Sequence, residues 1–553
     1  MCLQLREPSD LRCWEKSLMF KRLNHKEHKG SQRLVQSGAK RLRVPLCPLW
    51  LKLFCLLLCV SMLSCSKRPD ANTVVMIIES SPTNLDPRVG TDAQSERIDE
   101  LIFDPLVHRD EHFNMIPWVA EKWEIPDPKT YIFHLRRGVQ FHDGRPLTAR
   151  DVKWTLDSIR DGSLITLKTT TYKLVERVDA PDDATVIIHL SEPDGTLLYN
   201  LSNGAFGIVP YGSGKPFNRH PIGSGPFTFV SQDPDTEVVL QRNDNYWGQR
   251  AQVERVRLTI VPDATTRALE LRKGSADISP SGSLSADMIG TLRRNHNLEV
   301  EQQPGTVLAY LAFNLRDPIL KDLRVRQALA YAIDRGAVLH YLFGDEGRLA
   351  DGVLPPQHWA YSGNVAHYSN DPARANQILD AAGYARGADG VRFHLTMKTS
   401  TEETTRLLAA VLQQQLRQIG IALDIRSFEF ATFYADVTKG AFQLYSLRWI
   451  GANEDPDIFF YAFHSSSFPP GHANRSYYVN PEVDHLIEAG RSTVDQERRK
   501  QIYAQVQQIL ARDLPYINLW YFDNVVVHSA RVRDLQVNPA GNYDFLTAVE
   551  LAQ

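Results

Sequence analysis

The sequence predicts an α/β protein of more than one domain, and three observations lead there. At 553 residues with 43% hydrophobic content, the chain is long enough for roughly two to four domains with sizeable buried cores. Helical and strand periodicities also follow one another closely. Leu408, Val411, Leu412, Leu416 and Ile419 share one helical face, Gly420 stops the helix, and Ile421, Leu423 and Ile425 alternate directly afterwards as a strand. A helix joined to a strand by so short a connection implies an α/β layer. Third, 131–159 (YIFHLRRGVQFHDGRPLTARDVKWTLDSI) combines the same ingredients. Tyr131, Phe133 and Leu135 alternate as a half-buried strand, and Asp143-Gly144 with Pro146 makes a turn. A helix with Val152, Leu156 and Ile159 on one face then starts at the N-cap Thr148, with Asp151 near the positive end of its dipole.

Charge and cysteine separate a leader from a body. All six cysteines (Cys2, Cys13, Cys47, Cys55, Cys59 and Cys65) lie within the first 65 residues, so the body has no structural disulfide, thiolate zinc site or cysteine nucleophile. The first 64 residues hold 12 Lys+Arg and 4 Asp+Glu, a net +8, which leaves −11 for the rest of a chain that totals −3. A body that acidic is a poor partner for nucleic-acid phosphates.

Within the leader, 53–63 (LFCLLLCVSML) is an apolar run of 11 residues behind Lys40, Arg41, Arg43 and Lys52. It is too short to span a bilayer and has the length of a secretory apolar core. Met62-Leu63-Ser64-Cys65 resembles a bacterial lipoprotein box, in which the cysteine is lipidated and becomes residue one; methionine stands where leucine is usual. The alternatives are an ordinary signal peptide cut nearby or a short retained anchor. Residues 1–39 exceed what a basic leader needs, and an overextended start is expected. The expected organisation is thus a leader at 1–64 and a polar, lipid-anchored tether at 65–72.

The body begins with 73–78 (TVVMII), a β-branched run suited to a buried strand, followed by PTNLDP at 82–87 and a helix from Ala93 with Ile98, Leu101 and Ile102 on its face. Further on, 186–190 and 256–260 are strands and 264–272 a helix. The Gly/Pro-rich stretch 203–221 is a surface loop: its Gly212-Ser213-Gly214-Lys215 is no phosphate loop, because Val209 occupies the first glycine position and Pro216 follows the lysine. A long buried strand is expected at 306–314 (TVLAYLAFN). It precedes a helix capped by Asp322, with Val325, Ala328, Leu329, Ala332 and Ile333 inward. Asp371-Pro372 starts a helix that Gly383 ends, Asn480-Pro481 starts another, and 514–527 contains the final strands.

Several of these segments carry a family resemblance. LRRGVQFHDGRPLTARDV at 135–152 resembles the LR-x-GV-x-FHDG-x-P-x-TA-x-DV segment of the bacterial extracellular solute-binding proteins of family five, which capture dipeptides, oligopeptides, nickel complexes and similar ligands for ABC importers. PTNLDP, PWVAEKW (117–123), GSGPFTF (223–229), NDNYWG (243–248), RVRQALAYAIDR (324–335) and DPARANQILDAAGY (371–384) resemble further family blocks in order. The resemblance covers essentially Asn72 to the end. It implies a two-lobed periplasmic-binding-protein fold of the large three-subdomain class, closing about two crossing hinge strands for which 306–314 and 514–527 are the candidates. Lobe I would comprise 73–104, 222–306 and 524–553, with 105–221 as its extra subdomain, and 307–523 would form lobe II.

The implied function is a substrate-binding lipoprotein of the periplasm or cell surface. It would be a monomer that takes a peptide or peptide-like solute and delivers it to an ABC permease and ATPase, with no cofactor and no nucleic acid. In lobe II, 448–460 (RWIGANEDPDIFF) resembles the W-x-x-D loop whose aspartate pairs with a peptide's α-ammonium group. Trp449 is present, but Ala452 stands where that aspartate belongs. Around Asn453, two readings stand open: Glu454 or Asp455 replaces the anchor, or Asp455-Pro456-Asp457 simply shapes the loop. Arg448 offers a planar fork to an anion, Thr399 beside Lys398 falls where relatives hold the ligand carboxylate, and Thr91, Asp92, Ala93 and Gln94 correspond to backbone that runs beside bound peptides. The departure at Ala452 implies a longer or N-blocked peptide, or a non-peptide solute.

Competing classes are a signalling lipoprotein and a secreted hydrolase. The body holds no HExxH, no G-x-S-x-G and no metal-spaced histidines, and His142 beside Asp143 reads as a turn histidine.

Overall fold

The computed structural model describes residues 72–552 apart from 205, 281–283 and 345, so the leader and Cys65 lie outside the described residues. Three sheets organise them. The first has seven strands, in the order Leu298–Gln303, Asn524–Ser529, Ile278–Pro280, Thr73–Ile78, Arg255–Ile260, Glu237–Arg242 and Phe227–Asp233. The TVVMII run is continuous because both its faces are covered. Val74, Met76 and Ile78 join a core with Ile98, Leu101 and Ile102 of the helix Ala93–Ile102, whereas Ile77 packs with Leu271, Ile289 and Leu292 on the other side.

The six-stranded sheet runs Gly347–Leu349, Tyr516–Phe522, Leu308–Phe313, Leu444–Trp449, Phe393–Ser400 and Ile421–Phe428. Every residue of its Leu308–Phe313 strand is buried, again by partition between two faces. Ala309, Leu311 and Phe313 meet the helices on one side, while Leu308, Tyr310 and Ala312 meet an aromatic-rich core on the other. The third sheet is an antiparallel set of four, Ala120–Asp127, Thr130–Leu135, Thr185–Leu190 and Val175–Asp182. The helix Ala149–Arg160 packs on it, and Thr148 N donates to Asp151 Oδ2 at 2.8 Å as the cap requires.

The chain is therefore a two-lobed α/β protein with a third layer. Two antiparallel segments cross between the large sheets. The pair Gln303 and Asn524 closes the ladder of the first sheet, and Leu308 faces Tyr521 in the second. Between them Phe522 N donates to Val307 O at 2.8 Å. The stretch 514–527, expected to contain the final strands, divides at Asp523, whose carboxylate accepts from Gln302 Nε2 at 2.9 Å and Arg348 Nε at 3.2 Å. Gly305 fits this crossing because any Cβ there would stand 2.5 Å from Phe522 O.

Candidate functional site: a charged cavity

A cavity of about 570 Å³ opens beside the crossing, with Thr306, Val307 and Asn524 in its wall. Its main wall is the helix Ala93–Ile102. The apolar stripe of that helix enters the core, so Ala93, Glu96, Arg97 and Glu100, at i, i+3, i+4 and i+7, line the cavity instead. Asp92 caps the helix by accepting from Ser95 N at 2.9 Å. Leu167, Lys168, Tyr172 and Tyr199 come from the 105–221 region, and Ile450, Gly451, Ala452 and Glu454 from the loop after Leu444–Trp449. Leu167 and Ile450 are 79% and 64% exposed, so the cavity has apolar contact surface as well as charge.

The charges balance in number, three carboxyls (Glu96, Glu100, Glu454) against Arg97, Arg109 and Lys168. Arg109, from the edge strand Val107–Arg109, bridges the cavity: its Nη1 donates to Glu454 Oε2 at 2.6 Å and its Nη2 to Asn203 O at 2.6 Å, over the Tyr199 ring. Burial pulls Arg109 toward deprotonation, but Glu454, Tyr199 and Glu100 together outweigh it and hold the guanidinium charged. Lys168 Nζ donates to Pro87 O at 2.8 Å. Burial lifts the Glu96 carboxyl to about 7, with Glu454 and Asp92 adding to the rise and Lys168 opposing it.

Of the residues singled out from the sequence, Thr91, Ala93, Ala452 and Glu454 come together in the cavity wall. Others have different partners. Gln94 is buried and donates to Glu79 Oε1 at 3.1 Å while accepting from Tyr543. Lys398 Nζ meets Asp436 Oδ2 at 2.7 Å, and Thr399 is buried in its strand. Arg448 folds over the Phe522 ring at 4.4 Å, and Trp449 stacks on Tyr310 in the core. Asn453 Nδ2 ties the loop down, donating to Thr306 O at 2.8 Å and Val353 O at 3.0 Å. Asp455 Oδ1 accepts from Asp457 N at 2.8 Å and faces Arg499 at 3.7 Å, which shapes the loop. Sequence reading missed Glu96, Glu100, Arg109 and Lys168. A signal for the first two existed in the charged stripe opposite Ile98, Leu101 and Ile102; Arg109 and Lys168 carry no local pattern.

His142 is a turn residue. Its Nδ1 accepts from Gly223 N at 3.3 Å and its Nε2 donates to Gly225 O at 3.1 Å in the tautomer this requires, and burial lowers its pKa to about 4. Among the described residues no group of three His, Cys, Asp or Glu side chains has the arrangement to hold a metal ion.

The model of the bacterial extracellular solute-binding proteins, family 5, matches residues 114–469. The chain belongs to this family. The dipeptide-binding protein of Escherichia coli K12 is 27% identical over 515 residues, covering 86% of this chain and 94% of the relative. Heme-binding protein A of Haemophilus influenzae is 28% identical over 515 residues, covering 88% and 93%. Among solved structures, HbpA2 from Haemophilus parasuis superposes with a TM-score of 0.77 at 25% identity, over 87% of this chain and all (100%) of that one. As a family 5 protein, the chain is a substrate-binding component that works outside the cytoplasm with an ABC permease. Its relatives are binding proteins rather than enzymes.

Proposed function

We propose that the protein captures a peptide or peptide-like solute in the 570 Å³ cavity and hands it unchanged to a membrane permease and its ATPase. It does so as a monomer tethered by acyl chains on Cys65. The proposed lobes are 73–104 with 222–306 and 524–553 (lobe I), 105–221 (its extra subdomain) and 307–523 (lobe II). Their support is that the seven-, four- and six-stranded sheets draw on these stretches separately.

One observation carries the choice of ligand. Ala452 lines the cavity, and the resemblance of 448–460 to the family's loop puts it where the amine-binding aspartate stands; the adjacent candidate, Glu454, is already joined to Arg109 at 2.6 Å. An α-ammonium group buried against Ala452 has no anion to meet, and an unpaired buried charge costs several kcal/mol. Unmodified dipeptides therefore bind poorly, and longer or N-blocked peptides bind better. Calorimetry with dialanine, N-acetyl-dialanine and tetra- to hexapeptides is the direct test. Tight binding of dialanine, abolished by Glu454→Ala or Asp455→Ala, would show that a shifted carboxylate serves the amine and would overturn the reading. If protein purified from its own host carries a non-peptide solute by native mass spectrometry, the peptide assignment falls.

A further inference from the structure

Beside the main cavity lies an alcove of about 10 Å³ that shares Glu96, Glu100 and Gly204 with it and has Asp99 in its wall. That is room for about one water-sized group. The acids are unusually bare. Asp99 is 6% exposed, and its Oδ1 has no hydrogen-bond partner among the described residues. Among the described residues the Glu96 carboxylate accepts no hydrogen bond, none of the three acids makes an ion pair, and the Glu100 side chain accepts only from Asn542 Nδ2, at 3.0 Å. Gly204, at φ +77°, keeps the alcove open, since a Cβ there would stand 2.8 Å from Glu100 Oε1.

Three acids at i, i+3 and i+4 on one helix repel one another when ionised and are costly to bury as carboxylates, so burial raises all three carboxyls, and Lys168 opposes this only in part at Glu96 and Asp99. The arrangement makes sense if a cation completes it. A metal does not suit it, because among the described residues no set of three such side chains is placed to hold one. A guanidinium is a planar fork too large for a space of one water, whereas an ammonium group is compact and carries three donors. We propose that Glu96, Asp99 and Glu100 form a subsite for a primary ammonium group of the ligand, so that the helix Ala93–Ile102 supplies the cation recognition absent at Ala452. This rests on the cavity being the ligand site. The ammonium comes from a ligand's α-amine or from a basic side chain.

Calorimetry on the mature, detergent-free protein distinguishes these sources with two matched pairs: tri-alanine against N-acetyl-tri-alanine, and N-acetyl-Ala-Lys-Ala against its norleucine analogue, with putrescine as a probe independent of peptide binding. The expected result is at least a tenfold preference for the ammonium-bearing member of one pair, lost in both Asp99→Asn and Glu96→Gln; the pair that shows it names the source. Circular dichroism checks that each variant folds, and Glu96→Gln, at the more accessible position, remains informative if Asp99→Asn does not. Peptide binding with less than twofold preference, or a preference that survives either folded variant, overturns the subsite while leaving the peptide reading intact. Putrescine binding that needs Asp99 and Glu96, without binding of any peptide, upholds the subsite and removes the peptide reading. No binding of any probe removes both.

Discussion

Arg109 and Glu454 meet from opposite walls of the cavity, Nη1 to Oε2 at 2.6 Å, with side chains only 7% and 8% exposed. The partners come from the hairpin before the four-stranded sheet and from the loop after a strand of the six-stranded sheet, so the pair joins two parts of the cavity wall. Removing one charge leaves the other buried, at a cost of about 3–5 kcal/mol, whereas replacing both with apolar residues costs far less. Glu454→Gln is therefore expected to lower unfolding free energy in denaturant titrations much more than the Arg109→Met/Glu454→Met double variant. Small-angle scattering of the ligand-free Glu454→Gln protein should also give a larger radius of gyration than wild type. An unchanged radius would mean that the pair does not hold closure.

Glu96 makes stability depend on pH. Burial raises its carboxyl from the ordinary 4.5 to about 7, so between these values the folded state binds more protons than the unfolded one. Stability from this group is complete below pH 4.5 and is lost as pH rises through about 7. Thermal melts at about pH 5 and about pH 8 should show a larger fall for wild type than for Glu96→Gln. On the acid side His142 has the opposite sign. Its pKa drops from 6.5 to about 4, so its contribution is present above 6.5 and fades as pH falls toward 4.

The elements were legible where their determinants are local. Asp322, Asp371 and Asn480 accept from the backbone N–H groups of Arg324, Arg374 and Glu482 at 2.9, 2.9 and 3.0 Å, and Gly383 and Gly420 adopt φ of +87° and +81° at helix ends. Caps and stops of this kind are written within a few residues. The cavity was less legible because its walls converge from distant segments. Trp449 and Asn453 sit in a recognisable loop, yet the alternation of the strand sends Trp449 onto Tyr310, and Asn453 turns to Thr306 O. Nothing near Arg109 in sequence points to Glu454, 345 residues away. The division at Asp523 lies where the polar pair Asp523-Asn524 interrupts the apolar run, and the two halves pair with different sheets.

Anchoring is tested through Cys65, which follows the leader's apolar run. Each acyl chain contributes roughly 0.8 kcal/mol per buried methylene, so more than one chain makes release slow. Cys65→Ser should move the protein from the membrane pellet to the soluble or unprocessed fraction, with loss of labelling by a palmitate analogue. A fully processed variant that still sediments with membranes would rule out the lipid anchor.

Placing a carboxylate at the cavity-facing position 452 gives the sharpest test of specificity. Ala452 faces the cavity on a loop whose backbone is fixed by Asn453 Nδ2 to Thr306 O and Val353 O, at 2.8 and 3.0 Å, so Ala452→Asp places a new acid without rebuilding the loop. Glu454 stays with Arg109 and does not compete for a ligand amine. A hydrogen bond to a charged partner contributes about 1.5–3 kcal/mol, roughly a tenfold to hundredfold gain in affinity. Calorimetry should show dialanine binding gained by about that factor in Ala452→Asp, while N-acetyl-dialanine, which has no ammonium group, is unchanged or weaker. Equal changes for both peptides would place the ligand's amino end elsewhere in the cavity and detach specificity from position 452.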